Sequence, residues 1–279
     1  MKKLLAFILS LILSVCAMST FTACGEESII VYTNAFFAPF EYYSGSSIVG
    51  VDVDIMNKVG QRLGKKVEFK NVEFATIIDA VAAGKVCDAG AAGITVTTAR
   101  AQKVDFSTKY YKSVQYVIYD KTDSSISLSK NSADEDCIFW ADLAGKRIGV
   151  QTDTTGDIYV DIEINGDGPD YAGELNGSNA SQKRFDNVEV AANDIGLGID
   201  VVVIDKLPAQ FICSKNSKYA CVPLYYDAET ATEEEYAICV PKGSTELLNA
   251  INAVLAELLV VENGETGIEK LVKQHMGLN

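Results

Sequence analysis

Residues Gly93 to Arg100 read Gly-Ile-Thr-Val-Thr-Thr-Ala-Arg, a run of hydroxyls ending in a guanidinium. An apolar, strand-like segment from Val86 to Ile94 leads into it. Thr97-Thr98-Ala99-Arg100 then opens a helix, with Thr as a natural N-cap. At such a junction free backbone N–H groups, a Thr hydroxyl and an Arg fork converge on one place. That place suits a small carboxylate, because helix N–H donors and guanidinium both favour an anion. Thr and Arg also occur at many helix starts without binding anything, so the neighbouring sequence decides.

The elements that must carry this junction alternate. Ile29 to Thr33 is a β-branched and aromatic strand. Asp52 to Leu63 reads as a helix with Ile55, Val59 and Leu63 on one face and Gly64 at its end. Val67 to Lys70 is the next strand, and Ala75 to Ala83 a helix with Ile77, Ile78 and Val81 inward and Gly84 as its stop. Strand–helix alternation implies an α/β fold with a largely parallel sheet and helices on both faces. Ligands of such sheets sit beyond the carboxyl ends of the strands. Lys121 to Asp136 is polar and Ser-rich, a surface loop. Near the end, Leu247, Ile251, Val254, Leu255 and Leu258 form one helical stripe, Gly264 breaks it, and Gly267 to Gln274 makes a final helix.

With 279 residues the chain has room for two lobes of ordinary domain size. A formal charge of −14 argues against nucleic acid, whose phosphates require clustered Lys and Arg. Residues 1–24 read as an address. Lys2 and Lys3 precede an apolar segment, Leu4 to Met18, too short for a comfortable membrane span. Five cysteines follow residues 1–24: Cys87, Cys137, Cys213, Cys221 and Cys239. The odd count leaves at least one free within a single chain. Cys213 and Cys221 flank a polar turn and are placed for a local bridge, whereas Cys87 and Cys239 read as small buried residues. His275, the single histidine, reads as a surface residue. Between Glu163 and Glu174 the acids and Gly168 nearly follow a calcium-loop spacing, but Glu163 and Asp170 depart from it. That segment is expected to be a solvated acidic loop, and no metal or cofactor is expected anywhere.

Several long segments together resemble the extracellular solute-binding proteins, family 3, the polar-amino-acid receptors of ABC importers. They are Gly93–Arg100 with Val104-Asp105-Phe106-Ser107 and Tyr110-Tyr111; Asn34-Ala35-Phe36-Phe37-Ala38-Pro39-Phe40-Glu41; Val49-Gly50-Val51-Asp52-Val53-Asp54; Asp142 to Gln151; and Tyr236 to Gly243. The likeness runs from about Ile29 onward and leaves out chiefly the loop from Asp161 to Gln182. Phe21-Thr22-Ala23-Cys24-Gly25 similarly resembles a lipobox, which implies an acylated Cys24 and a lipid anchor on the outer face of the cytoplasmic membrane.

The resemblance implies a two-lobed periplasmic-binding-protein clamp with two hinge crossings: residues 25–110 plus 236–279 as lobe 1, and 111–235 as lobe 2, after a leader of 1–24. It implies that Phe37 and Phe74 sandwich the ligand's side chain, with Asn34 and Gly93 beside them and Phe40 in the core. Thr95 and Arg100 would hold the α-carboxylate from one lobe and Thr154 and Thr155 from the other, and Asp205 would take the α-ammonium. Asp153 stands where the family has Gly, and Asp tolerates the left-handed turn. The implied protein is a monomer that hands a free amino acid to a membrane permease. The Asn34, Phe37 and Phe74 set admits glutamine, arginine, lysine, histidine or cystine. Two further classes were weighed: a cyclohexadienyl-dehydratase-like enzyme, for which the pocket candidates offer no His or Lys and Glu41 as the only spare acid, and a ligand-sensing module.

Overall fold

The computed structural model describes residues 28–278, so Cys24 and the leader lie outside the described residues. Two sheets form the two lobes. The first has five strands in the order Lys66–Asn71, Ser28–Thr33, Ala89–Gly90, Cys239–Pro241, Val104–Phe106. Its first three strands are parallel, and Cys239–Pro241 runs antiparallel to both of its neighbours. The second has the order Ser181–Phe185, Arg147–Gln151, Val201–Asp205, Tyr111–Asp120, Tyr219–Tyr225, Asp136–Phe139, Ser129–Lys130. The sheets are therefore mixed. Antiparallel pairing enters with Cys239–Pro241 and Tyr111–Asp120, the strands that continue the two crossings, and with the short hairpin of Ser129–Lys130 and Asp136–Phe139.

Two such crossings meet as a ribbon. Glu233–Tyr236 pairs antiparallel with the first residues of Tyr111–Asp120, in a register that sets Tyr236 opposite Tyr111 and Glu233 opposite Val114. Tyr236 is fully buried there, its ring edge-on to Phe40 with centroids 5.0 Å apart.

The helices follow the apolar periodicity. Val51–Leu63 buries Val51, Ile55, Met56 and Val59, and ends on Gly64, whose φ of 65° lets its N–H reach the Gln61 and Gly60 carbonyls. Thr245–Leu258 and Gly267–Met276 pack against it. A separate core in the second lobe surrounds Trp140, Leu143, Ile148, Val160 and Leu175. Among the described residues no helix is long and apolar enough to cross a membrane.

Three expectations need correction. The run from Val86 to Ile94 contributes only Ala89–Gly90 to the sheet, because the chain turns out of it at Gly93. His275 is not a free surface side chain: its Nδ1 lies 3.2 Å from Tyr42 Oη and its Nε2 3.1 Å from Asp54 Oδ2, so it pins the last helix to the first lobe. Glu163 is buried rather than solvated, its Oε2 accepting from Tyr171 Oη at 2.7 Å and from the Glu174 N–H at 2.9 Å. The loop folds around that carboxylate. Cys87 and Cys239 are buried as free thiols, and Cys213 and Cys221, half-buried, are free as well.

Candidate ligand-binding site

A narrow cavity lies where the carboxyl ends of the two sheets face one another. Asn34, Phe37, Glu41, Phe74, Gly93, Thr95 and Arg100 line it from the first lobe, and Gln151, Thr154, Thr155 and Asp205 from the second. The nine ligand-binding residues named from the sequence all stand on this one wall. Glu41 and Gln151 join them. The lobes are closed on each other: Arg100 Nη2 donates to the Asp153 carbonyl at 2.7 Å, and Gln151 Nε2 to Asn34 Oδ1 at 2.9 Å.

On the first lobe, Asp52 organises the turn. Its Oδ2 accepts the Gly93 N–H at 3.0 Å and its Oδ1 accepts the Tyr110 hydroxyl at 2.5 Å. Gly93 has φ +54°, and a Cβ there would come within 2.6 Å of the Phe37 ring, so only glycine lets the aromatic lie against the turn. The Gly93 N–H is thereby committed to Asp52 and is not one of the free donors anticipated for an anion. Thr97 caps Thr98–Lys103 by accepting the Arg100 N–H at 3.2 Å. Arg100, one turn in, donates Nη1 to the Thr95 carbonyl at 2.9 Å, and its guanidinium carbon lies 5.5 Å from the Phe74 ring centroid. With two N–H groups held by backbone and the plane steadied by an aromatic face, the remaining donors present a fixed edge to the cavity.

On the second lobe, Asp153 takes φ 61°, the left-handed turn anticipated for it. Thr154 caps Thr155–Asn165, and its hydroxyl also donates to the Gln151 carbonyl at 2.8 Å. Asp205 precedes Lys206–Lys215 but makes no capping hydrogen bond with its side chain. It is 3% exposed and accepts the Tyr236 hydroxyl at 2.5 Å. The short strand–helix junction thus aims this carboxyl into the cleft.

One residue escaped the sequence entirely. Glu234, in the crossing ribbon, accepts the Thr95 hydroxyl at 2.6 Å, the Thr155 hydroxyl at 2.5 Å and Gln115 Nε2 at 2.6 Å. It sits in a run of three glutamates, and only alternation along a strand could have turned the middle one inward. Its neighbours Glu233 and Glu235 face outward to Lys112 and Lys109.

The site is strongly acidic. Burial, and then the charges of Asp52 and Asp205, hold the Glu41 carboxyl well above the usual carboxylate range. Burial likewise pushes Asp52 up to about 6, against the pull of the Tyr110 and Gly93 hydrogen bonds. Asp205 is raised well above its ordinary value by burial, then by the charge of Glu234. Among the described residues, Arg100 is the only cation on the cavity wall. Both Glu41 oxygens and Gln151 Oε1 are buried without a hydrogen-bond partner.

Similar proteins share this architecture. The model of the bacterial extracellular solute-binding proteins, family 3, matches residues 29–276. The arginine-binding extracellular protein ArtP of Bacillus subtilis is 30% identical over 278 residues, covering 95% of this chain and 96% of its own. The L-arginine-binding protein of Pseudomonas aeruginosa is 30% identical over 264 residues, 92% of each chain. Among solved structures, an ancestral arginine-binding protein bound to arginine superposes with a TM-score of 0.70 at 31% identity, covering 88% of this chain and 97% of that one. The arginine-bound form of truncated ArgBP from T. maritima gives 0.68 at 30%, covering 83% and 96%. With the match running from the first strand to the last helix, the chain belongs to family 3 of the bacterial extracellular solute-binding proteins.

Proposed function

We propose that this protein is an extracytoplasmic receptor that closes its two lobes on a free cationic amino acid, arginine foremost, and presents it to the permease of an ABC importer. The observation that carries the choice of ligand is the set of orphaned acceptors. Glu41 is 0% exposed, and neither of its oxygens has a donor, nor does Gln151 Oε1. Three acceptors around one end of a cavity need a group that only donates. Guanidinium brings five N–H groups and no acceptor, a lysine ammonium three, and a glutamine carboxamide two with an oxygen that would face other oxygens. Asn34 serves by holding the Gln151 amide in place, with its own Nδ2 donating to the Val72 carbonyl at 2.7 Å. At the other end, Arg100 suits the α-carboxylate and Asp205 the α-ammonium, while Phe37 and Phe74 flank the aliphatic stem. The similar proteins named for arginine support the same ligand.

A zwitterion reaching both lobes favours the closed arrangement by its differential affinity for it, and closure is a hinge motion at the crossing ribbon. Among the described residues the wall offers no His or Lys for acid–base work on a substrate ring, which supports binding without turnover. The lipid anchor at Cys24 belongs to the same proposal, on the strength of the Phe21–Gly25 sequence. Calorimetry with arginine, lysine, histidine, glutamine and cystine tests the reading: arginine binds tightest and lysine next. Tighter binding of glutamine than of arginine overturns the assignment of Glu41.

A further inference from the structure

The hydrogen bonds around Asp205 leave one proton to be assigned. Glu234, 5% exposed, already receives three donors from Thr95, Thr155 and Gln115. Asp205, paired across the sheet with Gln115, receives the Tyr236 hydroxyl, and the Gln115 amide donates to Glu234, so the two buried carboxyls flank one side chain. Two like charges removed from water and held that close resist joint ionisation, and the charge of Glu234 bears on Asp205.

We infer that Glu234 is a positioning residue through which Asp205 keeps a proton in the ligand-free site, and that an α-ammonium seating on Asp205 expels that proton to solvent. The inference rests on the amino-acid reading above. The balance is one for one: the Asp205 O–H bond breaks, its proton goes to buffer, and an ammonium N–H takes its place against the oxygen. The surrounding groups favour this exchange. Glu41, on the first lobe, feels the charges of both Asp52 and Asp205. Tyr236 and Tyr111 approach from the crossing ribbon and Tyr159 from the second lobe. Arg100 is the single cation near the pair, and it is engaged with the Thr95 and Asp153 carbonyls. Glu233 and Glu235 are paired outward with Lys112 and Lys109. A proton is therefore the charge that balances the pair until an ammonium arrives. Affinity for an α-amino acid should rise by up to about tenfold per pH unit while Asp205 is protonated, and level off above that range.

Proton counting isolates the event. Binding heats of arginine are measured at about pH 7 in buffers of different ionisation enthalpy, alongside its deaminated analogue, which keeps the guanidinium and carboxylate. Any proton released from Glu41 appears with both ligands, so the difference belongs to the ammonium. Arginine is expected to release about one more proton than the analogue. Equal counts overturn the inference while leaving the receptor reading intact, whereas failure of every amino acid to bind overturns both. In Glu234→Gln the new amide donates to Asp205 and holds its charged form. The extra proton should then fall away and the pH profile of the dissociation constant should level off at lower pH. A purely structural role would weaken binding at every pH without changing the proton count, and an unchanged count in the variant refutes the coupling. If the variant does not fold, the two-ligand comparison on the unaltered protein still decides.

Discussion

Replacing Glu41 with Gln exchanges one buried carboxylate oxygen for an amide nitrogen at nearly constant volume. In the ligand-free protein it should cost nothing, and it should raise stability at neutral pH. Both oxygens are orphaned, and burial with the charges of Asp52 and Asp205 disfavours the charged form. A carboxyl whose folded pKa lies above its unfolded value contributes stability fully at pH below the unfolded value, and that contribution is lost as pH rises through the folded one. The melting temperature of the ligand-free protein should therefore fall as pH rises above the ordinary carboxylate range, with Asp52, pushed up to about 6, adding to the slope. Glu41→Gln should flatten it. Arginine binding should move the opposite way. Losing one partner of a buried, hydrogen-bonded charge pair costs ~2–5 kcal/mol. At ~1.4 kcal/mol per tenfold, that is a dissociation constant weaker by about 30-fold to several thousand-fold. Glutamine, with no cation to lose, should bind the variant as well as the parent or better. Titration calorimetry of both ligands on both proteins measures this. Arginine affinity within about threefold of the parent, or equal losses for arginine and glutamine, would refute a guanidinium at Glu41; a factor of three is only ~0.65 kcal/mol.

Arg100→Lys should weaken arginine binding by ~2 kcal/mol or more, because a point charge cannot hold the Thr95 and Asp153 carbonyls and a ligand carboxylate together; an arginine amide should bind parent and variant with nearly equal affinity, and a large difference for the amide would contradict the assignment. Phe74→Ala should cost ~1 kcal/mol or more in affinity while the ligand-free melting temperature holds, since the ring is only half-buried against Arg100; a collapse in stability would make it a core residue. Cys24→Ser should move the protein from the membrane to the soluble fraction on cell fractionation, and firm retention at the membrane would remove the lipid anchor.

What the sequence determined was local. Gly64 after an amphipathic run sets the end of Val51–Leu63, Thr97 and Thr154 each cap the helix that follows, and Asp153 accepts a left-handed turn, because these outcomes depend on residues a few positions apart. Asn34, Phe37 and Asp205, at strand ends, and Arg100, one turn into the helix capped by Thr97, were legible through the resemblance of their segments to the family. Tertiary structure decided what those groups touch. The Gly93 N–H goes to Asp52, forty-one positions away in sequence, and the Thr95 and Thr155 hydroxyls go to Glu234 in the crossing ribbon. Glu163 sits in a segment expected to be solvated and Glu234 in a run of three glutamates, yet each is buried among hydrogen-bond donors. Glu41 follows a core phenylalanine in a short strand, and nothing near it in the chain announces that its carboxyl has no partner. Burial and hydrogen-bond satisfaction are properties of the packed chain, and the charge a ligand must bring follows from them.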